Sequence, residues 1–245
     1  MTRINFSPEE LAARNPNLFG GLANEATPEE IAAKKRRQEA IATARANADR
    51  EREAEAFLTR RGDRYRHCRL STYQCEHQAQ RDIIRRLREY LGRLPEEVDA
   101  GNGLVFFGPS GTGKDHLAVA SAYEAIHHYG YSVAWKNGVE LYSEFREAID
   151  GKRSERDVID PLVRAKILVL SDPLPPKGAL TEYQTGMLYM ILDQRYSRRL
   201  PTWATANVIS GEEAGKRMGI ACYDRLRHGA LVLFCNWQSY RMVQA

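Results

Sequence analysis

The chain has 245 residues, of which 43% are hydrophobic, so it can bury one α/β core with an appendage and cannot be disordered throughout. Its 36 Lys and Arg residues exceed its 32 Asp and Glu residues by four. The basic side chains of such a mildly basic protein either bind phosphate groups or only keep the surface solvated. The four cysteines show no tight spacing pattern, which predicts reduced thiols. The sequence has no apolar run of the roughly 18 residues that span a membrane, and its N-terminus has no signal sequence. We therefore expect a cytoplasmic protein with no membrane contact.

Residues 1–63 are predicted to form a charged helical arm. Ser7-Pro8-Glu9-Glu10 and Thr27-Pro28-Glu29-Glu30 each offer a hydroxyl N-cap, a Pro at the first helical position and a Glu at the third. Ala, Glu, Lys and Arg dominate the sequence after Thr27 and favour a long helix. Large apolar residues are sparse there, so we expect an arm that either binds a partner protein or is solvated.

Residues 64–245 are predicted to form one α/β domain. Residues 78–94 are typical of a helix, and five short apolar runs follow, each separated from the next by helical sequence. The runs cover residues 104–107, 132–135, 167–170, 202–206 and 231–235. Strands that alternate with helices predict a five-stranded parallel sheet with helices on both faces. We expect no full helical lid after the fifth strand.

A glycine-rich loop, GPSGTGK, joins the first predicted strand to a helix. This context is typical of a P-loop, in which backbone N–H groups and the helix N-terminus bind phosphates and the lysine reaches the β- and γ-phosphates. The predicted cofactors are therefore ATP and Mg²⁺. The predicted nucleotide-binding residues are Gly108, Pro109, Ser110, Gly111, Thr112, Gly113, Lys114 and Asp115.

Two residues of the expected magnesium site are exchanged. The P-loop pattern has Ser or Thr after its lysine, to place a hydroxyl on Mg²⁺, but here the residue is Asp115. The strand at residues 167–170 resembles the Walker B strand, which usually ends in a metal-binding Asp, but here Ser171 precedes Asp172. We interpret the pair as a swap in which Asp115 supplies the carboxylate and Ser171 the hydroxyl. The alternative is two independent losses in a decayed ATPase. The predicted metal-binding residues are Asp115, Ser171 and Asp172.

Taken together, these motifs resemble the DnaC/IstB branch of the AAA+ ATPases, over roughly residues 64–245. The motifs that carry the resemblance are Tyr65-Arg66-His67-Cys68, GPSGTGKDHLA in the loop, LYMILDQRYSRR at residues 188–199, Ala206-Asn207, Asp224-Arg225-Leu226 and NWQSYR at residues 236–241. The P-loop is generic, whereas the combination that continues through Tyr240 is far more specific. The chain departs from the family pattern at Asp115, at Ser171 and at the Pro-rich residues 173–176.

The resemblance implies an ATP-binding protein, an Mg²⁺-dependent ATPase, that acts as a helicase loader or transposition helper in DNA replication or mobile-element transactions. It implies a replicative helicase or transposase as the partner, and a homo-oligomer. It places Asn207 at the sensor-1 position and makes Arg225 a candidate arginine finger, which acts from a neighbouring subunit. With Asp172, these are the predicted catalytic residues. The departures leave open a non-hydrolysing adaptor and, less favoured, a small-molecule kinase.

Several arginines form predicted basic faces that either bind nucleic acid or are solvated. They are Arg81, Arg85, Arg86 and Arg88 on the helix of residues 78–94, and Arg195, Arg198 and Arg199 further along the chain. No base-reading motif accompanies them. We therefore expect binding to DNA, mainly single-stranded, with weak sequence specificity.

Overall fold

The long helix predicted after Thr27 is present. In the computed structural model, which describes residues 27–151 and 154–241, helix α1 spans Pro28–Arg61. Thr27 and Glu30 close its first turn, because Glu30 N donates to Thr27 Oγ1 at 3.2 Å and Thr27 N donates to Glu30 Oε2 at 2.9 Å. The helix start predicted at Ser7 lies outside the described residues.

The chain divides into two compact units, residues 1–46 and 47–245. In the first unit, the described part of α1 is almost entirely exposed, including Ile31 and Ile41. In the second unit, the end of α1 buries Ala54, Phe57 and Leu58 in the hydrophobic core. The last turns of α1 therefore belong to the packed core, and the predicted boundary at residue 63 between an arm and an ATPase domain stays a prediction.

The second unit alternates helices and strands as the sequence predicts. After α1, its helices are α2 (Gln78–Gly92), α3 (Leu94–Ala100), α4 (Lys114–Tyr129), α5 (Gly138–Ile149), α6 (Glu155–Arg164), α7 (Glu182–Ser197), α8 (Gly211–Met218) and α9 (Ile220–Arg227). Its strands are β1 (Leu104–Phe107), β2 (Val133–Asn137), β3 (Ile167–Ser171), β4 (Thr202–Ala206) and β5 (Leu231–Phe234). The strands form one parallel sheet in the order β2-β3-β4-β1-β5, which confirms the predicted five-stranded parallel sheet.

Hydrophobic clusters cover both faces of this sheet. Successive side chains of a strand point to opposite faces. Leu104 and Phe106 pack in one cluster, together with residues of α2 and α4, whereas Val105 and Phe107 pack in the other, together with residues of α7. Trp203 of β4 is fully buried. None of the helices in residues 27–151 and 154–241 combines the length and the apolar character that a membrane span needs.

Arg195 is not on a basic surface, so both alternatives predicted for it, contact with nucleic acid and a solvated face, are wrong. Its side chain is fully buried in α7, and its guanidinium donates to Thr202 Oγ1 at 3.1 Å. It also donates to the main-chain carbonyl oxygens of Leu162, Ala165, Lys166 and Pro201. Burial lowers the pKa of Arg195 to about 9. Arg195 therefore ties the starts of β3 and β4 to α6 and α7, whereas Arg198 and Arg199 remain exposed.

The strand order brings three strand ends together. β4 is hydrogen-bonded to β1 on one side and to β3 on the other. The chain segments that follow Phe107, Ser171 and Ala206 therefore leave the sheet next to one another. In open α/β sheets, ligands bind in the crevice at the carboxyl ends of the strands.

Candidate nucleotide-binding site

The glycine-rich loop lies between β1 and α4, where the sequence predicts it. Gly111 and Gly113 have φ values of +85° and +86°, a backbone conformation that side chains with a Cβ rarely adopt. A Cβ on Gly111 would overlap the side chain of Ser239, so glycine is also required by packing. Helix α4 begins at Lys114, directly after the loop. The loop therefore presents its backbone amides and a helix N-terminus toward the same space.

A cavity of about 410 Å³ adjoins the loop, within the size range of small-molecule sites. Its lining includes Lys114, Asp115, Asp172 and Asn207. The segment before α2 and the residues that follow β5 also contribute to the lining, with Arg64, Tyr65, Tyr73, Gln74, Tyr240 and Arg241. The sequence does not predict this second part of the lining, because no spacing rule relates residues near 65 and 240 to the loop.

The motif NWQSYR at residues 236–241 packs against the loop. The Tyr240 main-chain N–H donates to Gly111 O at 3.0 Å, and Trp237 Nε1 donates to Thr112 O at 3.0 Å. Tyr73, from the segment before α2, donates its hydroxyl to the same Thr112 oxygen at 3.1 Å. These bonds satisfy the main-chain carbonyl oxygens of Gly111 and Thr112 and so help to fix the conformation of the loop.

Lys114 is buried beneath the loop. Its ammonium group donates to Pro109 O at 2.7 Å and to Asn207 Oδ1 at 2.9 Å. Burial lowers the pKa of Lys114, and the nearby Asp172 carboxylate opposes that shift. The ammonium group is therefore costly to bury in this state, and an anion in the cavity would stabilise it.

Asp115 and Ser171, the two exchanged residues, are in direct contact. Ser171 Oγ donates to Asp115 Oδ1 at 3.2 Å. A serine hydroxyl that donates its proton keeps its lone pairs available for a cation. The same Asp115 oxygen accepts a second hydrogen bond, at 2.8 Å, from Thr205 Oγ1. Thr205 lies opposite Ser171 in the β3–β4 register, so its place in the site depends on the strand order, which the sequence does not predict.

Asp172 and Asn207 meet beside this carboxylate. Asn207 Nδ2 donates to Asp172 Oδ1 at 3.0 Å, while the other end of the same amide accepts from Lys114. Burial raises the pKa of Asp172, and the Asp115 charge adds to this effect, whereas Lys114 and Asn207 oppose it. Asn207 thus connects the loop lysine to the acidic residue after β3.

These side chains fit Mg²⁺ in the company of phosphates. Within residues 27–151 and 154–241, no cluster of three or more His, Cys, Asp and Glu side chains forms a metal cage of its own. Mg²⁺ usually keeps several waters and is held by one or two carboxylates together with substrate phosphates. Asp115, Ser171 and Asp172 provide two carboxylates and a hydroxyl next to the loop, which is the kind of ligand set that Mg²⁺ takes.

Arg225 is not brought to this cavity. Its guanidinium lies over the Tyr189 ring, 4.3 Å from the ring centre, and donates to the Tyr189 hydroxyl at 2.7 Å. Its Nε donates to Asp193 Oδ1 at 2.8 Å. The three side chains belong to α7 and α9 and hold the guanidinium at the protein surface. From this position, Arg225 has no access to the cavity of its own chain.

The family model described as IstB-like ATP binding protein matches residues 25–245. The chain belongs to the IstB-like ATP-binding protein family. DnaC of Escherichia coli (strain K12), a replicative helicase loader, is 30% identical to this IstB-like protein over 224 residues, 88% of this chain and 87% of that protein. An ATP-binding protein of insertion sequence IS5376 from Geobacillus stearothermophilus is 27% identical over 166 residues, 64% of this chain and 62% of that protein.

Solved structures share the fold of this IstB-like protein. The crystal structure of the DnaC helicase loader matches it with a TM-score of 0.63 and 21% identity, over 71% of this chain and 99% of that chain. The replication initiator DnaA, bound to AMPPCP and single-stranded DNA, matches with a TM-score of 0.58 and 16% identity, over 72% of this chain and 51% of that chain. The P-loop α/β fold of the AAA+ type is thereby confirmed, as is the resemblance drawn from the sequence motifs.

Proposed function

We propose that this IstB-like protein binds ATP·Mg²⁺, hydrolyses ATP, and thereby loads or assists a DNA-acting partner, either a replicative helicase or a transposase. The observation that carries the proposal is the meeting of Lys114, Asp115, Asp172 and Asn207 at one cavity beside the loop. The helicase loader and the insertion-sequence protein among its relatives support the choice of partner.

Each side chain has a proposed task in the reaction. Lys114 exchanges its bond to Pro109 O for the β- and γ-phosphates. Asp115 and Ser171 would hold Mg²⁺, which would supply positive charge next to the phosphates. Asp172, oriented by Asn207, positions the attacking water and accepts its hydrogen bond. Asn207 also contacts Lys114, so it is placed to respond to the γ-phosphate.

Arg225 is proposed to act on the ATP of a neighbouring copy. Its contacts with Tyr189 and Asp193 hold the guanidinium in one orientation, which reduces the entropy lost when it meets a phosphate. An arginine supplied from a neighbouring subunit can raise the rate of phosphoryl transfer by orders of magnitude. The active form is therefore proposed to be a homo-oligomer.

Replacing Arg225 with Ala is expected to leave ATP binding unchanged and to reduce hydrolysis by about 10³-fold or more, because the charge that stabilises the transition state is lost. The measurement is ATP affinity and steady-state phosphate release. Arg227→Ala is the matched control, since Arg227 lies in the same helix and its nearest acidic partner is the exposed Asp224.

Mixing experiments decide whether Arg225 acts in trans. Arg225→Ala protein and Lys114→Ala protein are each expected to be inactive, but a mixture contains interfaces that pair an intact loop with an intact Arg225. Partial recovery of hydrolysis is expected on mixing. If the two variants co-assemble and hydrolysis does not recover, Arg225 does not act from a neighbouring subunit.

Single-stranded DNA is proposed to bind the exposed face of α2. Arg85 is paired with Asp82 and Glu89, at 3.6 Å and 3.2 Å, so it contributes little net charge to this face. Arg81, Arg86 and Arg88 are exposed and make no ion pair within residues 27–151 and 154–241. These three arginines are therefore the side chains of α2 available to neutralise DNA phosphates.

Hydrolysis and DNA binding test the proposed function together. Phosphate release is expected to require Mg²⁺, and binding of a fluorescent single-stranded oligonucleotide is expected to weaken steeply with salt, because phosphate neutralisation releases counterions. A plot of the logarithm of the DNA-binding constant against the logarithm of the salt concentration has a slope set by the number of neutralised phosphates. Removing both Arg86 and Arg88 is expected to reduce the magnitude of this slope by about 0.7 for each DNA phosphate that the variant no longer neutralises. A flat salt dependence, or no binding at low salt, would leave only a protein partner.

A non-hydrolysing adaptor is the second candidate. The observation in its favour is that Asp172 has a φ of +44°, a conformation that is uncommon for a residue with a side chain, and is already engaged by Asn207. ATP binding without phosphate release, in the presence of Mg²⁺, single-stranded DNA and partner, would select this function.

A further inference from the structure

Thr205 is a fully buried hydroxyl between the two acidic residues of the site. Its Oγ1 donates to Asp115 Oδ1 at 2.8 Å and accepts from the Asp172 main-chain N–H at 3.1 Å. It lies opposite Ser171 in the β3–β4 register. A single side chain of the central sheet thus contacts both the carboxylate at the start of α4 and the backbone of Asp172.

The hydrogen bonds at Asp115 are asymmetric. Ser171 and Thr205 both donate to Oδ1, at 3.2 Å and 2.8 Å. Within residues 27–151 and 154–241, Oδ2 has no hydrogen-bond donor. The carboxylate therefore has one oxygen fixed by the protein and one oxygen that is free to meet a cation, and it cannot turn without losing its hydroxyl partners.

A carboxylate fixed in this way discriminates between cations. Mg²⁺ requires near-ideal octahedral geometry and takes few protein oxygens, whereas Ca²⁺ takes six to eight oxygens and often binds a carboxylate through both of them. Asp115 with its Oδ1 occupied by two hydroxyls suits the first ion and disfavours the second. Removal of the Thr205 hydroxyl would free the carboxylate to turn and present both oxygens.

We propose that Thr205 is a positioning residue that makes Asp115 a one-oxygen ligand and thereby sets the preference of the site for Mg²⁺ over Ca²⁺. The inference rests on the proposed binding of ATP·Mg²⁺. The sheet does not need this hydroxyl, because the Asp172 N–H also donates to the Thr205 carbonyl oxygen at 3.1 Å. Valine would fill the same space and favour the strand equally well.

The test measures how Mg²⁺ and Ca²⁺ tighten the binding of a fluorescent, non-hydrolysable ATP analogue. In Thr205→Val, the Mg²⁺ concentration for half-maximal effect is expected to rise about tenfold or more, as is typical when the hydrogen-bond partner of a metal ligand is removed. The corresponding Ca²⁺ concentration is expected to stay close to the wild-type value. Thr205→Ser keeps the hydroxyl and is expected to retain the wild-type preference for Mg²⁺.

Ser121→Ala is the matched control, because Ser121 is another fully buried hydroxyl, and it donates only within its own helix, to Leu117 O at 2.7 Å. Thermal unfolding of each variant verifies that it is folded. A folded Thr205→Val protein with wild-type Mg²⁺ and Ca²⁺ responses would overturn the role of Thr205 and leave the proposed function intact. The same conclusion would follow if Thr205→Ser were as impaired as Thr205→Val. Wild-type protein with no Mg²⁺-dependent nucleotide binding would overturn the proposed function itself and the inference with it.

Discussion

Replacing Lys114 with Ala is expected to weaken ATP binding by about 10- to 100-fold, because hydrogen bonds to charged groups each contribute about 1.5–3 kcal/mol and every 1.4 kcal/mol is about tenfold in affinity. Lys114 Nζ is buried below the loop and contacts only Pro109 O and Asn207 Oδ1 among the described residues. No other ammonium group lines the described part of the cavity. The measurement is a titration with ATP in the presence of Mg²⁺.

The fold is expected to survive this change. Burial lowers the pKa of Lys114, so the folded state disfavours its charged form relative to the unfolded chain. Removing the ammonium group therefore removes this cost, which offsets the loss of its hydrogen bonds to Pro109 O and Asn207 Oδ1. Lys216→Ala is the control, since Lys216 is exposed and pairs with Glu212. A folded Lys114→Ala protein with wild-type ATP affinity would remove Lys114 from its assigned role.

The loop could be predicted from sequence because its signal is local. A strand, seven residues with glycines at fixed positions and a helix start all lie between residues 103 and 130, and the positive φ angles of Gly111 and Gly113 are what those glycines supply. The alternation of apolar runs with helical sequence was likewise sufficient for the parallel sheet, because burial on both faces leaves continuous apolar strands.

Contacts that depend on strand order could not be predicted. Thr205 and Ser171 are 34 residues apart, and their hydroxyls share an oxygen only because β4 pairs with β3. The error at Arg195 has the same origin. A guanidinium in an Arg-rich stretch suggests a surface, but the carbonyl oxygens that surround it come from residues 162–166 and 201, which only the tertiary fold brings together.

The exchange of Asp115 and Ser171 leads to the second large expected effect. Asp115→Thr leaves only hydroxyls at positions 115, 171 and 205, so Asp172 would be the one carboxylate left among the three predicted metal-binding residues. Ser171→Asp places two carboxylates in contact, and two unit charges about 4 Å apart repel by about 4 kcal/mol at an effective dielectric constant near 20. Each single variant is therefore expected to lose Mg²⁺-dependent ATP binding and turnover.

The double variant, Asp115→Thr with Ser171→Asp, is expected to recover much of both losses. It restores a hydroxyl at the start of α4 and a carboxylate at the end of β3, and Thr205 lies opposite residue 171 to donate to the new carboxylate. The coupling energy between the two changes is expected to be about 1–3 kcal/mol, as for neighbours that share one ligand. The double-mutant cycle is obtained by measuring ATP affinity and phosphate release for the natural protein, the two single variants and the double variant.

Removing Mg²⁺ with a chelator distinguishes a functional exchange of Asp115 and Ser171 from two independent losses in a decayed ATPase. Without Mg²⁺, Asp115 stands close to the phosphates and repels them, so chelator is expected to weaken ATP binding more in the natural protein than in Asp115→Thr. Ser171→Asp combined with Lys216→Ala serves as the control cycle and is expected to be additive, because Lys216 lies outside the site. Additive losses for the Asp115 and Ser171 pair would refute the exchange. Absence of hydrolysis in all four proteins, with ATP still bound, would instead identify an adaptor in which the two residues support binding alone.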